Sequence, residues 1–246
     1  LHVHYAVPHA TAAFLAKQML GDDLKVITTL HGTDITLVGQ ARSFFTVTKF
    51  SIERSDAVTA VSEYLRREPY RAFGCDSCDI EVIPNFINLA EYYPSEARTR
   101  PAVAPPGSKL LMHVSNFREV KRVPEVVRIF AKVRAAMPAV LVLVGDGPQR
   151  LEAEAEVERQ GVRRDVFFLG KLDSVADLLR GADLFLLPSA TESCGLAALE
   201  AMACGVPAVA SKLDGSREAV RHGALGILVD PDNPAELEAG HERDRG

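Results

Sequence analysis

Short apolar or β-branched runs alternate with longer amphipathic segments along this chain, and the alternation occurs twice. In the first half KVITTL, DAVTAV and DIEVIPN read as strands between helical stretches at 10–20, 44–54 and 62–73. In the second half KLLMHV, AVLVLVGDG, DVFFLG, DLFLLP and PAVAS read as strands, with helices between them such as 124–136 and 148–160. Such alternation is the pattern of a parallel sheet wrapped by helices. Between the halves lies RTRPAVAPPGS (98–108), where three prolines and a glycine follow no period, the mark of a linker. The expected fold class is therefore α/β, with domains at 1–98 and 108–246 joined by 99–107 and a cleft implied between them. In open α/β sheets ligands bind beyond the carboxyl ends of the strands, so chemistry is to be sought in the loops that follow them.

Composition narrows the function classes. With 246 residues, 47% hydrophobic and 25% charged, the chain can bury sizeable cores. No apolar run approaches the roughly 20 residues of a membrane span, and LHVHYAVPHA lacks the basic-then-apolar order of a signal peptide, so a cytoplasmic protein is expected. The formal charge of −5 argues against nucleic acid as the main partner. The four cysteines include one CxxC, Cys75 and Cys78, without a second pair at metal-like spacing, so reduced thiols and no metal site are expected.

Three loops of the second half carry suggestive residues. In HVSNFREVKRV (113–123) a strand ends in Ser115 and Asn116, and Arg118, Lys121 and Arg122 crowd the next helix start. Three cations there suit a diphosphate; a solvated basic face is the alternative. VGDGP (144–148) allows a tight turn with proline in the first helical turn. The third loop opens TESCGLAALEAMACGVP (191–207), where Glu192 and Glu200 flank Gly195. If a helix begins near Gly195, its N–H groups and dipole form an anion site, and a glycine lets a phosphate approach the backbone. Glu200 then lies about 7–8 Å further along the axis. That is about the offset from a pyrophosphate to its ribose hydroxyls, which a carboxylate can accept. Glu192, on the other side, could hold sugar hydroxyls. The plainer alternative makes Glu192 a helix-terminal charge and Glu200 a solvated helix residue. The apolar run around Glu200 weakens it, since a carboxylate on an apolar helix usually has a partner.

These residues carry a resemblance. The second half resembles the donor domain of the retaining GT-B glycosyltransferases of family 4, whose E-x7-E signature is matched by Glu192 and Glu200. Further matches are VGDGP, the FFLGK segment, the basic loop after HVSN, and GILVD. In the first half HVHYAVPHATAAFLAKQML, TTLHGTDITLVG and VIPNFIN resemble the branch that joins N-acetylglucosamine to L-malate in bacillithiol biosynthesis. The resemblance implies two Rossmann-like domains facing a cleft, a UDP-N-acetylglucosamine donor, L-malate as acceptor, retention of the α configuration, and no metal or other cofactor. It further implies that Gly195 and Leu196 present amides to the phosphates, with Lys121 and Arg118 as their cationic clamp. Ser115, Asn116 and Cys194 would complete the donor site, with Glu200 on the ribose, Glu192 on the transferred sugar, and Gly170 and Lys171 beside the uracil. His31 would face the reacting sugar, while Tyr5 and Thr29 would line the acceptor pocket. Malate's carboxylates need a cation, for which Lys49, or else Arg42, is the candidate.

The chain also departs from the family pattern. Ser115 and Asn116 stand where Gly-Arg is common, Cys194 where phenylalanine is common, and Asp214 replaces the first glycine of a Gly-Gly turn. Family members carry a leading strand with a glycine-rich loop and a closing helix, so a fragment is expected, short at both ends and possessing a nearly complete donor site. Three other readings stay open: a different acceptor, a UDP-sugar 2-epimerase, and a non-catalytic nucleotide-sugar-binding fragment. Homo-oligomer formation is also open. A nicotinamide dehydrogenase is disfavoured because no G-x-G-x-x-G follows a strand.

Overall fold

The computed structural model describes residues 1–21, 23–38, 41–75, 78–95, 100–220 and 226–230. The chain divides into two compact units, Leu1–Phe86 with Glu192–Cys194, and Ile87–Thr191 with Gly195–Gly246.

The first unit is built on a parallel sheet in the order β1 (His2–His4), β2 (Ile27–Leu30), β3 (Ala57–Ala60) and β4 (Ile80–Val82). Its helices are α1 (Thr11–Leu20), α2 (Phe45–Glu53) and α3 (Glu63–Phe73). Helix α3 shows why the sequence starts and stops it where it does. The Ser62 hydroxyl accepts the Leu65 N–H, filling one of the first turn's unpaired donors, and Gly74 ends the helix in the left-handed conformation. The start of β2 is tied down by Asp56, whose carboxylate accepts from Lys17 of α1 at 2.8 Å, from the Val26 N–H at 2.9 Å and from Lys25 at 3.3 Å.

Among the described residues the second unit holds six parallel strands, β5 (Lys109–Val114), β6 (Ala139–Val144), β7 (Val166–Gly170), β8 (Leu184–Leu187), β9 (Ala208–Ser211) and β10 (Gly226–Val229), in the order β10-β9-β8-β5-β6-β7. Between them run α4 (Val123–Ala136), α5 (Arg150–Arg159), α6 (Ala176–Gly181), α7 (Leu196–Ala203) and α8 (Asp214–Ala219). The near-continuous apolar strands have their reason here. Successive side chains of a strand point to opposite faces, and both faces of this sheet are covered. Leu110, Met112, Val140, Val142, Val144 and Phe185 belong to one core, and Leu111, Leu141, Leu143 and Leu186 to the other.

The proline-rich run packs with the second unit. Within its described part, 100–108, Ala104 is buried in the first of those cores, Arg100 donates to the Ser108 carbonyl at 2.6 Å and pairs with Asp183, and the Ser108 hydroxyl closes onto the Pro105 carbonyl at 2.7 Å. Proline here fixes turns that lie against the sheet. Residues before it do likewise: Tyr92 packs on the same core, and Arg180 donates to the Glu91 carbonyl at 2.8 Å with its guanidinium 4.7 Å from the Tyr93 ring centre.

Asp56 makes the first unit sensitive to acid. The Lys17 ammonium, then the Val26 N–H, hold its carboxyl well below the ordinary 3.8. Because the folded-state pKa is depressed, this stabilisation is fully present above about pH 4 and is lost as pH falls further. Asp56→Asn should cost about 1 kcal/mol at pH 7, the low end for a charged hydrogen bond since the carboxylate is partly solvated. In denaturant titrations repeated at decreasing pH, the gap between wild type and variant should close below pH 4.

Candidate functional site

The order of the second sheet marks its own crevice. From β5 the chain builds outward through β6 and β7, whereas β8, β9 and β10 build outward on the other side, so connections part between the neighbours β5 and β8. The ladder there is short, pairing Leu111 with Leu184 and Met112 with Phe185. Beyond it a side chain takes over. The buried His113 donates Nδ1–H to the Leu186 carbonyl at 2.8 Å, which leaves Nε2 to accept the Ser115 hydroxyl at 2.8 Å. That hydroxyl in turn accepts the Phe117 N–H at 3.2 Å. Sequence reading treated His113 as part of a strand; an isolated histidine in an apolar run gave no sign of this role.

The loops leaving this edge are stitched together by main chain. Gly145 (φ 122°) and Gly147 (φ 157°) press against the loop after β5: a Cβ on Gly145 would lie 1.7 Å from the Ser115 carbonyl oxygen, and one on Gly147 2.0 Å from that of Asn116. Gln149 N–H donates to the Phe117 carbonyl at 2.9 Å, its side-chain oxygen accepts the Val123 N–H at 3.0 Å, and Ala190 N–H donates to the Val120 carbonyl at 2.8 Å. Gly145 N–H also reaches the Gly170 carbonyl at 2.8 Å. Phe117 (φ 45°) and Arg122 (φ 51°) are held in the left-handed region, which ordinary side chains rarely adopt and which marks a loop over-determined by its surroundings. On this frame Asn116, Arg118 and Lys171 are exposed, and Ser115 and Lys121 are half-buried.

Helix α7 starts where its sequence requires. Gly195, at φ 71° and ψ 40°, is the N-cap, and the helix runs from Leu196, so the expectation of a helix beginning near Gly195 holds. Leu196 is exposed, while Glu192 and Cys194 are buried. Glu200 is half-buried one turn on. Burial, and then the Glu91 carboxylate, push its pKa up, and among the described residues its carboxylate has no hydrogen-bond or ion-pair partner. Glu91 itself accepts from the Ser174 hydroxyl at 2.8 Å, and the Tyr92 phenol is pushed up by burial, Glu200 and Glu91. A partly desolvated carboxylate facing another acid is suited to a ligand that brings hydrogen-bond donors. Neither Glu91 nor Tyr92 was singled out from sequence. Asp214 opens α8; its side chain lies outside the described residues.

In the first unit a second polar cluster forms at the carboxyl ends of β1 and β2. His31 Nε2 and His4 Nδ1 share a hydrogen bond of 2.8 Å, and the Tyr5 and His31 ring centres are 5.0 Å apart. Burial and His4 push the His31 pKa down, with Asp34 opposing. Asp34, missed in the sequence, clamps the two loops by accepting Ala6 N–H at 2.8 Å and Gly32 N–H at 3.0 Å, and burial pushes its carboxyl up against those bonds. Tyr5 (φ 75°) is more than a third exposed. Thr29 is buried, its hydroxyl within 2.8 Å of both His2 Nε2 and the Thr59 hydroxyl. Lys49 is not brought to this cluster: its ammonium donates to the Gly74 carbonyl at 3.1 Å, capping α3, and lies 3.6 Å from Glu53. A helix C-terminus attracts a lysine in this way. Arg42 is exposed on the turn before α2.

Residues 95–243 match the model of the glycosyl transferases group 1, and residues 1–91 that of glycosyltransferase family 4. The chain is 45% identical, over 94% of its length, to the N-acetyl-alpha-D-glucosaminyl L-malate synthase of Bacillus anthracis, of which it covers 61%. It is 30% identical over 88% of its length to a glycogen synthase of Mycobacterium tuberculosis, of which it covers 53%. It thus spans little more than half the length of these curated relatives. Among solved structures, sucrose-phosphate synthase from Thermosynechococcus elongatus superposes with a TM-score of 0.83 at 25% identity, covering 98% of this chain and 63% of that one. Anabaena HepE in complex with UDP and glucose gives 0.80 at 24% identity, covering 96% and 66%. The fold is that of the GT-B glycosyltransferases, as the sequence led us to expect.

The glycine contacts give this site a structural test. Gly145→Ala places a methyl group on a carbonyl oxygen and strains a positive φ, so it should destabilise the second unit by at least about 1–3 kcal/mol. Thermal denaturation checks this against Gly161→Ala, where φ is also positive but nothing lies within 4 Å of the added carbon; the second variant should lose clearly less.

Proposed function

Because the chain belongs to the glycosyl transferases group 1 family, we propose that it serves the retaining transfer of N-acetylglucosamine from UDP-N-acetylglucosamine to L-malate, the first step of bacillithiol biosynthesis. The observation that carries the donor half is Glu200, half-buried beside Glu91, without a protein partner among the described residues, and one turn into a helix capped by glycine. In this reading the diphosphate lies at the N-terminus of α7, against the amides of Gly195 and Leu196. Arg118 and Lys121, from the loop after β5, neutralise its charge, with Ser115, Asn116 and Cys194 completing the pocket and Gly170 and Lys171 bordering the base. Glu200 accepts the ribose hydroxyls, and Glu192 holds the transferred sugar. Charge developing on the departing UDP is then met by fixed amides and cations, which supports a transfer that needs no divalent ion.

The acceptor half rests on the likeness to the Bacillus anthracis enzyme, supported by the cluster at the ends of β1 and β2. His31, with its pKa pushed down by burial and His4, presents a neutral imidazole to the reacting sugar. Tyr5 offers an exposed phenol, and Thr29 supports the floor through its hydroxyl row. With Lys49 engaged at the end of α3, Arg42 becomes the better candidate for the malate carboxylates. A cytoplasmic setting agrees with four cysteines that stand outside any disulfide, and no helix is long and apolar enough to cross a membrane among the described residues.

Calorimetry in EDTA tests the donor half. UDP should bind wild type without added metal, and Glu200→Ala should lose about 1.5–3 kcal/mol, or roughly 10- to 150-fold in Kd, with an unchanged melting profile. Equal affinity would remove Glu200 from the ribose, and binding that needs magnesium or manganese would remove the metal-free reading.

For the acceptor, turnover of UDP-N-acetylglucosamine should favour L-malate over lactate by at least about tenfold, the loss of one charged hydrogen-bonded partner. Equal turnover would leave a family 4 transferase with another acceptor, and conversion of the UDP-sugar to its 2-epimer without any acceptor would favour an epimerase.

A further inference from the structure

The CxxC of the first unit is used by neither half of the proposed reaction. Cys75 follows the glycine cap of α3 and is fully buried, and Cys78 is partly exposed. The Cys78 N–H donates to the Cys75 carbonyl at 3.3 Å. An i-to-i+3 bond of this kind keeps the two Cα atoms within about 7 Å, which overlaps the 4.4–6.8 Å span of disulfide bridges. The two side chains also hydrogen-bond each other.

The surroundings pin both residues. Cys75 N–H reaches the Pro69 carbonyl at 3.4 Å, the Tyr70 hydroxyl donates to the Cys78 carbonyl, and Lys49, from α2, holds the carbonyl of Gly74 just before Cys75. Among the described residues no third metal-binding side chain joins the pair. Two thiols, one accessible and one buried, held in contact by the end of a helix, suit exchange chemistry.

We propose that Cys75 and Cys78 are a thiol-modification site that small-molecule disulfides close into an intramolecular disulfide. The accessible Cys78 gives up its proton and attacks one sulfur of the small disulfide, whose S–S bond breaks. One thiolate leaves and takes up a proton, and Cys78 carries the other half as a mixed disulfide. Cys75 then loses its proton and attacks the Cys78 sulfur, expelling the second thiolate. Two protein thiols lose two protons and two electrons, and the small disulfide gains both to become two thiols. Burial, and then Cys78, push the Cys75 thiol up to about 12, which disfavours its thiolate as the first nucleophile. The order of events follows: Cys78 attacks and Cys75 resolves.

Both cysteines fall in one tryptic peptide, 72–98, which makes the test direct. The protein is equilibrated in glutathione and glutathione disulfide mixtures, quenched with N-ethylmaleimide and analysed by peptide mass. Wild type should yield this peptide two hydrogens lighter, without maleimide or glutathione, and dithiothreitol should reverse the change. Cys75→Ser should stop at a stable glutathione adduct on Cys78, and Cys78→Ser should react at least about tenfold more slowly, because only the buried thiol remains. The proposal is overturned if wild type accumulates the same Cys78 adduct as Cys75→Ser, if it remains a dithiol where that variant is already modified, or if Cys78→Ser reacts as fast as wild type. The wild-type measurement stands by itself should a variant not fold.

Discussion

Two glycines without side chains hold the second unit's working edge together. Gly145 and Gly147 let the loop after β6 lie directly on the carbonyls of Ser115 and Asn116, closer than any Cβ would permit. That contact positions the loop after β5, and Gln149 and Ala190 extend it by main-chain bonds to neighbouring loops. Exposed cations such as Arg118 are then carried on a backbone that is not free to follow them. Loop residues otherwise lose precision through mobility, and here the sheet's rigidity reaches past the ends of its strands. The left-handed Phe117 is compatible with this account, since its fully buried ring anchors the middle of the same loop.

The two polar clusters manage charge differently. In the first unit every carboxylate oxygen of Asp34 has a main-chain donor, so burial is compensated and two loops are joined. In the second, Glu200 lies next to Glu91 with no hydrogen-bond or ion-pair partner among the described residues. The contrast is between a carboxylate whose burial is compensated by main-chain donors and one that is partly desolvated beside another acid, the arrangement on which the proposed ribose role of Glu200 rests.

What could be read from sequence followed from local rules. The strands of the second sheet were legible because burial on both faces makes them continuously apolar, and the start of α7 was legible because only glycine adopts the conformation at 195 without cost. Ser62 and Gly74 bounded α3 in the same way. What escaped depends on contacts between distant segments. Glu91 acquires meaning only when its segment packs beside α7, and Asp34 only when Ala6 is brought to it. Lys49 looked like an acceptor cation because its sequence neighbourhood could not reveal that the end of α3 lies within reach of its ammonium. The prolines of 98–108 suggested a spacer, whereas buried Ala104 and the Arg100–Asp183 pair bind its described part, 100–108, to the second unit.

His113 has a consequence of another kind. Elsewhere in the sheet the separation of neighbouring strands is set by peptide groups, which are the same whatever residue carries them, so mutation hardly alters it. Between β5 and β8, past the second ladder pair, the His113 imidazole makes the next link, to the Leu186 carbonyl. That link is written in one side chain. A single substitution can therefore remove it and leave the peptide-to-peptide ladders of the sheet untouched.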